Sequence, residues 1–523
     1  MLSTRTTRTL ATGAALAALV AVPLLAGGSA DAGTHTSQST GRTAGQVTAS
    51  VTTPDHPAPV TQHLALTHAS ASAAATGSAT KAAGPALANA TASAFPTGTT
   101  VTVDPTIGFQ KITGFGASLT DASAYDLSLL SKADRDAAMT QLFDPDEGAG
   151  LSFLRQPIGA SDLARTVYSF DDMPKGQKDY ALKHFSIAHD EEQILPLLRQ
   201  AEKLNPKLTI MATPWSPPGW MKTSDSMIDG KLIDSPRIYR AYADYLVKFL
   251  QAYKAAGVEV DYLTVQNEPQ ALDRSNYPGT NLDVEQAAKV IAKLGPAIEK
   301  AGLKTKILGF DHNWAVHPWD AGRLEQVNGS PEADYPFSLL QTKAARWIDG
   351  TAYHCYYGDP AVQSTLKTLH PDKEILETEC EGLDINDAIG TLRNWGQSVT
   401  AWNVALDENH GPFVGGCESC TGLVTVDSKT KAVTYNPRYY LLAQFSRFVT
   451  PGATRIMSTS VNNVDGQTAQ LDSVAFRNRD GSLAVVVHNT AKATQAFAVR
   501  VGSATFRATL PADGVATYSW SDR

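Results

Sequence analysis

Residues Pro236 to Pro269 read PRIYRAYADYLVKFLQAYKAAGVEVDYLTVQNEP and hold one complete structural unit. Tyr239, Tyr242, Leu246, Phe249 and Leu250 recur at steps of three and four, the period of one helix face, and predict a helix over Pro236–Ala256. Tyr262–Gln266 is a short apolar run of strand length, closed by Asn267, Glu268 and Pro269. A helix feeding a buried strand with polar residues at its tip is the repeating element of a parallel sheet covered by helices.

Working outward, the same texture recurs. Strand-like runs occur at Gly114–Leu119, Leu151–Pro157, Leu208–Thr213, Lys306–Phe310, Thr351–Tyr357, Glu374–Thr378 and Thr400–Asn403, which with Tyr262–Gln266 makes eight. Helical periods fall between them at Leu127–Leu142 (with Asp126 or Ser128 as cap), Asp190–Leu204 and Val284–Ala301. Eight strand-helix units are the number that closes a (β/α)8 TIM barrel, so the class is α/β. A doubly wound open sheet is the alternative, but its G-x-G-x-x-G fingerprint is missing.

Beyond about residue 440 the helical period stops. Ala469–Arg477, Leu483–Asn489, Ala496–Val501 and Ala516–Trp520 alternate between Asp-Gly and Gly-Ser turns and predict a small antiparallel domain. Thr97–Val103 also reads as a strand and can join that sheet, giving a side domain formed from both chain ends. The expected organisation is a barrel over 113–445, with 96–112 and 446–523 forming the all-β domain.

The N-terminus has a different character. Arg5 and Arg8 precede an apolar run from Ala14 to Ala26 that ends near Ala30-Asp31-Ala32, the pattern of a secretory signal peptide over 1–32. The run is short for a membrane span and contains Pro23. Residues 33–95 are dominated by Ala, Thr, Ser, Gly and His and read as a disordered linker, because they offer little apolar surface to offset chain entropy.

Composition narrows the function. Hydrophobic residues are 43% and charged residues 18% of 523, so a large core is affordable. Lys and Arg number 44 against 52 Asp and Glu, a net charge of −8. That balance carries no electrostatic footprint for nucleic acid or an anionic membrane surface. The expected protein is secreted, monomeric and without integral membrane association. Of four cysteines, Cys417 and Cys420 sit in a Gly-rich loop and predict a local disulfide, while Cys355 and Cys380 are either buried thiols or a pair. No second close cysteine pair and no H-E-x-x-H is present, so no metal and no cofactor is expected.

In a TIM barrel, reactive groups stand at the C-terminal ends of the strands. The residues there are Thr120-Asp121, Arg155 to Asp162, Pro214 to Trp220, Asn267-Glu268, Asp311 to Trp314, His354 and Tyr356, Thr378-Glu379, and Trp402-Asn403. Aromatic platforms beside carboxylates suit a sugar, whose ring faces are apolar and whose edges are hydroxyls. Glu268 and Glu379 end the fourth and seventh runs, on nearly opposite walls of a closed barrel. Two facing carboxylates are what glycoside hydrolysis requires, one holding a proton and one ionised beside a cation such as Arg155. Glu377 lies on the same strand as Glu379 but a layer deeper, and is the fallback nucleophile. Glu381 lies past the strand on a loop.

The strings G114-FGASLTD-121, R155-QPIGASD-162, T213-PWSPPGWMKT-223, V265-QNEP-269 and Thr378-Glu379 occur in this order. Together they resemble glycoside hydrolase family 30, the glucosylceramidase-like group with a (β/α)8 barrel and a β-sandwich side domain. Y439-YLLAQFSRFVTPG-452 is similar to the segment leading from that barrel into the sandwich. The resemblance implies a retaining β-glycosidase with Glu268 as general acid/base and Glu379 as nucleophile. It implies that Asn267 meets the sugar 2-hydroxyl, that Arg155 orients Glu379, and that Asp162, Trp215 and Trp402 line the subsite of the cleaved sugar. Tyr356 is placed near the nucleophile, and His312 and Asp121 are further substrate-binding candidates, with Asp121 alternatively a helix cap. The expected substrate is a β-linked glucoside or β-glucan, glucosylceramidase-like or endo-β-1,6-glucanase-like. Alternatives are a β-1,6-galactanase or xylanase of the same family, or a secreted carbohydrate-binding protein on an inactive barrel.

Overall fold

The computed structural model describes residues 45–68, 99–271, 276–461 and 470–521. Eight parallel strands run in chain order: Gly114–Ser118, Phe153–Pro157, Thr209–Thr213, Tyr262–Thr264, Lys306–Asn313, Gly350–His354, Glu374–Glu379 and Ser398–Asp407. Each pairs with the next as far as the seventh, and the eighth pairs with the first. All eight expected strands are present, within a few residues of their expected ends.

The barrel closes between the seventh and eighth strands, where the main chain contributes one bridge, Cys380 to Ala401, and the Gln397 N–H donates to the Ile375 carbonyl at 2.8 Å. A side chain fills the gap. Glu377 is 1% exposed, and its two carboxyl oxygens accept the Glu379 N–H at 2.9 Å and the Thr400 N–H at 2.6 Å. An otherwise unpaired buried backbone N–H is costly, so this carboxyl substitutes for missing sheet hydrogen bonds. The fallback nucleophile is therefore a structural clasp.

Below the mouth, Phe153, Met211, Tyr262, Leu308, Ala352 and Leu376 pack as one apolar layer from six strands. It seals the barrel interior beneath the polar residues. The helices cover the outside with the faces expected: Tyr239, Tyr242, Leu246, Phe249 and Leu250 of Pro236–Ala255 are all buried. Two expected helices differ. Asp190–Leu204 is broken at Gln193 into Ala188–Glu192 and Ile194–Leu204. Leu127–Leu142 is two helices, Asp121–Ser128 and Lys132–Phe143. The caps are Thr120 and Ser131, whose hydroxyls accept the N–H groups of Ser123 and Asp134. Ser131 at the cap position restarts the helix three residues after the first one ends.

The second domain is a ten-stranded sheet folded on itself. In space it runs His56–Ala65, Gln46–Thr53, Val515–Ser521, Ser482–Asn489, Leu471–Arg477, Thr454–Ser458, Thr100–Lys111, Gln495–Val501, Ala504–Leu510 and Thr67–His68. Phe506 from one end of this order meets Tyr518 and Trp520 from the other, with ring centroids 5.1 and 5.5 Å apart, which makes the fold a sandwich. Thr100–Lys111 pairs within it, as the reading of Thr97–Val103 anticipated.

The linker reading needs correction over residues 46–68, where Thr67–His68 also pairs with Ala504–Leu510. Gln46–Thr53 pairs antiparallel with the last strand, Thr48 opposite Ser519, and His56–Ala65 folds back upon it. Val47, Ala49 and Val51 point into the sandwich core. Their period of two was visible, but small residues hid it within an Ala- and Thr-rich stretch. The signal-peptide reading of 1–32, and the linker reading over 33–44 and 69–95, lie outside the described residues.

Candidate active site

The C-terminal strand ends enclose a cavity of about 370 Å³ lined by Asp162, Trp215, Asn267, Glu268, Tyr277, Tyr356, Glu379, Glu381, Gly382, Trp402 and the Cys417 and Cys420 pair. Seven of the expected site residues are on this wall, and Arg155 stands directly behind it.

Arg155, on the second strand, has no exposed surface. Its guanidinium donates to Glu379 Oε2, to Asn267 Oδ1 at 2.7 Å and to Asp311 Oδ2 at 2.9 Å. Burial opposes its charge, but Asp311 and Glu379 more than compensate and hold it firmly protonated. One planar fork thus holds both proposed walls of the site in register. Glu379 also accepts from the Tyr356 hydroxyl at 2.8 Å and carries its backbone N–H on Glu377.

Two breaks in strand register aim the side chains. On the sixth and seventh strands Tyr353 pairs with Glu377 but His354 with Glu379, so Thr378 is extra. On the eighth, Ala401 and Asn403 face consecutive residues of the first strand, so Trp402 is extra. Such bulges re-aim side chains near active sites. Trp402 stacks on Trp215 with centroids 5.0 Å apart, and Arg155 lies over Trp215 at 4.9 Å.

Glu268 sits at φ +45°, a backbone conformation a side chain rarely adopts. Its N–H donates to the Asp311 carbonyl at 2.8 Å, and Asn267 N–H to the Pro214 carbonyl at 2.8 Å. Those bonds hold the strained turn at the strand tip. Oε1 of Glu268 is 3.2 Å from His354 Nδ1 and 3.8 Å from His312 Nε2. His354 is 3.7 Å from Glu379 and 3.0 Å from Asp311. A carboxylate oxygen of Glu268, one of Glu379 and a His354 nitrogen all lie within 4.8 Å of one another.

His354 and Asp311 are the functional residues that sequence reasoning left without a role. Asp311 is completely buried and accepts from Arg155, His354, Thr213, Thr264 and Thr378. Burial opposes its charge, but Arg155 and His354 hold its carboxyl well below the usual range. Burial likewise opposes a charge on His354, but Glu379, Asp311 and Glu268 hold it up to about 10. The signal was available, since Asp311 directly follows the fifth run and His354 lies within the sixth. Tyr277 and Glu381 also line the cavity unanticipated. Glu381 accepts from Arg438 at 2.8 Å and from the Thr421 N–H at 2.9 Å.

Besides Arg155, two expected residues are not on the wall. His312 is 4% exposed and stands behind Glu268. Asp121 occupies the first turn of Asp121–Ser128, bound by Arg165 at 2.8 Å and His189 at 2.9 Å. It is an ion-pair anchor; Thr120, one residue earlier, is the cap. Asp162 does reach the cavity, and the Cys417 N–H approaches it at 3.4 Å. Gly416, at φ +77°, comes so near that a Cβ there would lie 2.6 Å from Asp162. Cys417–Cys420 is a disulfide as expected, and Cys355–Cys380 is a second, tying the sixth strand's end to the residue after Glu379.

Comparison with known proteins follows the same division of the chain. Residues 112–449 match the glycosyl hydrolase family 30 TIM-barrel domain and 452–518 its β-sandwich domain. An endo-1,6-β-D-glucanase of Neurospora crassa is 37% identical over 74% of this chain and 81% of its own. A putative glucosylceramidase of Caenorhabditis elegans is 31% identical over 75% of this chain and 77% of its own. The solved structure of the endo-β-1,6-glucanase BT3312 superimposes with a TM-score of 0.75 at 30% identity, covering 92% of this chain and all of that one.

Proposed function

The chain belongs to glycosyl hydrolase family 30 and is a glycoside hydrolase acting on carbohydrate, and on that premise we propose that it is a secreted, retaining endo-1,6-β-glucanase. Glu379 is the nucleophile and Glu268 the general acid/base. The observation that carries the stereochemistry is the approach of the two carboxyl groups to within 4.8 Å. Retaining enzymes hold this pair ~5–5.5 Å apart, whereas inverting enzymes need ~6.5–9.5 Å to admit a water.

Charge balance supports the roles. Arg155 and His354 carry two positive charges, and Asp311 and Glu379 two negative, all withdrawn from water. As general acid, Glu268 begins the cycle holding a proton. In the first step Glu379 attacks the anomeric carbon while Glu268 gives that proton to the departing glycosidic oxygen. Glu379 loses its charge in the ester as Glu268 gains one, so the net charge of the site is unchanged. In the second step Glu268 takes a proton from water, the oxygen attacks the anomeric carbon, and the bond to Glu379 breaks. No net charge has to be created in a site where ions are poorly solvated.

Around this axis Asn267 has its carbonyl engaged by Arg155, which leaves its amide N–H to donate to the sugar 2-hydroxyl. Trp215 and Trp402 offer ring faces, Asp162 takes hydroxyls, and Tyr356 steadies Glu379. The β-1,6-glucan reading rests on the enzymes named for that substrate among the relatives. Secretion rests on the signal pattern and two disulfides. Among the described residues no helix is long and apolar enough to cross a membrane.

The test is a panel of β-1,6-glucan, β-1,3-glucan, xylan, β-1,6-galactan and glucosylceramide, with product anomers followed by NMR. Shortening of β-1,6-glucan with β-anomeric product appearing first is expected. An α-anomer appearing first refutes retention, and preferential cleavage of another glycan refutes the substrate.

A further inference from the structure

Three aromatic rings lie just outside the cavity on the same rim. Trp319 is 70% exposed and stacks on His317, centroids 3.4 Å apart. Tyr357, 37% exposed, lies tilted against His317 with centroids 4.5 Å apart. His317 and Trp319 lie at the start of the helix Pro318–Asn328 that follows the fifth strand, Tyr357 lies in the loop after the sixth, and the Ala315 N–H donates to the Tyr357 carbonyl at 3.1 Å. Gly358, at φ +106°, lets the two loops meet, since a Cβ there would lie 2.7 Å from the Ala315 nitrogen. Tyr357 directly follows Tyr356, whose hydroxyl holds Glu379.

Single exposed hydrophobics are ordinary on a protein surface, but a stacked set held by main-chain contacts is not. Trp319 leaves most of its ring open, with an indole N–H at its edge, Tyr357 adds a part-exposed ring with a hydroxyl, and Tyr357 is the chain neighbour of Tyr356, which lines the catalytic cavity. Flat apolar faces bordered by hydrogen-bonding groups match the face of a hexose.

We propose that the His317–Trp319–Tyr357 stack is a distal subsite that binds a glucosyl unit of a β-linked glucan chain running out of the catalytic cavity. This rests on the reading of the enzyme as a β-glucan hydrolase. The stack adds affinity for long chains and touches nothing in a short glycoside, so it separates polymer from small-substrate kinetics.

The experiment replaces the rings singly, Trp319→Ala and Tyr357→Ala, with thermal melting to confirm folding. Rates are measured on soluble β-1,6-glucan and on an aryl β-glucoside. On the polymer, kcat/KM is expected to fall by about tenfold for Trp319→Ala, with the aryl glucoside unchanged within about twofold. Equal losses on both substrates, or none on the polymer, overturn the subsite. Affinity electrophoresis in β-1,6-glucan gives a readout that needs no turnover. The Glu379→Ala protein should be retarded, and the Glu379→Ala/Trp319→Ala protein should not. Retardation of both, or of neither, rejects the subsite. A wild-type enzyme inactive on β-1,6-glucan instead refutes the substrate reading beneath it.

Discussion

Arg155, Asp311 and His354 at the barrel mouth and Phe506, Tyr518 and Trp520 inside the sandwich are all withdrawn from water. In the sandwich the enclosed material is hydrocarbon, and each Å² removed from water stabilises the fold by about 25 cal/mol. At the mouth it is charge, which costs several kcal/mol per ion before pairing recovers it. The comparison teaches that equal burial serves opposite ends. The sandwich contributes stability, and the mouth gives some up to hold charges where a reaction can use them.

The largest effect expected on this contrast is at the mouth. Glu379→Ala should lower turnover by about 10⁴-fold or more while the protein melts within a few degrees of wild type. Azide should restore some product with inverted configuration, because it can occupy the emptied face. Glu268→Ala should cost about 10²–10⁴-fold, and less on aryl glycosides, whose leaving group needs little protonation. Full activity in Glu379→Ala, or collapse of the fold, would break the division of labour. The reciprocal change in the sandwich is Trp520→Ala, which should cost about 3–5 kcal/mol by denaturant unfolding. Its kcat/KM on an aryl glucoside, per folded molecule, should not move. A large change in that constant would show that the side domain shapes the site.

Glu377 sharpens the comparison, because it is a buried carboxyl at the mouth that does sandwich-like work. Glu377→Gln preserves shape but presents an amide nitrogen to either the Glu379 or the Thr400 N–H, neither of which it can accept from. The nucleophile's backbone then shifts, and kcat should fall by about 10–100-fold with KM little changed. An unaltered kcat would mean that the Cys380–Ala401 bridge and the bonds of Gln397, Ser398 and Thr400 to the seventh strand's carbonyls close the barrel without the carboxyl.

Much of this was legible in the sequence, and the reasons differ by region. The eight barrel strands announced themselves because strands buried on both faces read as apolar runs. Glu268 and Glu379 stood out because they end such runs. His354 and Asp311 also stood in or just after such runs, yet their place in the site comes from bonds that converge from several strands, and such convergence leaves no local pattern. Asp121 misled for the complementary reason: it stands at a strand tip, but Arg165 and His189 draw it away. The Gln46–Thr53 strand was hidden by composition, since Val47, Ala49 and Val51 become a core face only when the last strand supplies the other half. Trp402 was found, but the bulge that aims it was not, because an extra residue has no signature without its partner strand.

The smallest effect concerns pH, and it too falls on the barrel. Burial raises the carboxyls of Glu377 and Asp126 to about 8 and of Asp190 to about 7. Asp407 and Glu408 push Asp126 the same way, while Lys431 opposes them. His354 is held up to about 10. Each group keeps its proton in the folded protein at a pH where the unfolded chain has released it. The folded state therefore binds more protons, and stability falls as pH rises. For the carboxyls the window runs from about 4 to about 8, and for His354 from about 6.5 to about 10. Asp311 and Asp121 are shifted the other way, so their contribution is present above about pH 4 and is lost in stronger acid. The melting temperature should peak near pH 4–5 and decline by several degrees toward about pH 9. Glu377→Gln removes one of the raised groups and should flatten the slope between about pH 5 and 8. Scanning calorimetry across this range measures both. A melting temperature that climbs toward pH 8 would mean that these carboxyls are ionised and solvated in the folded protein, and that the dryness of the mouth is overstated.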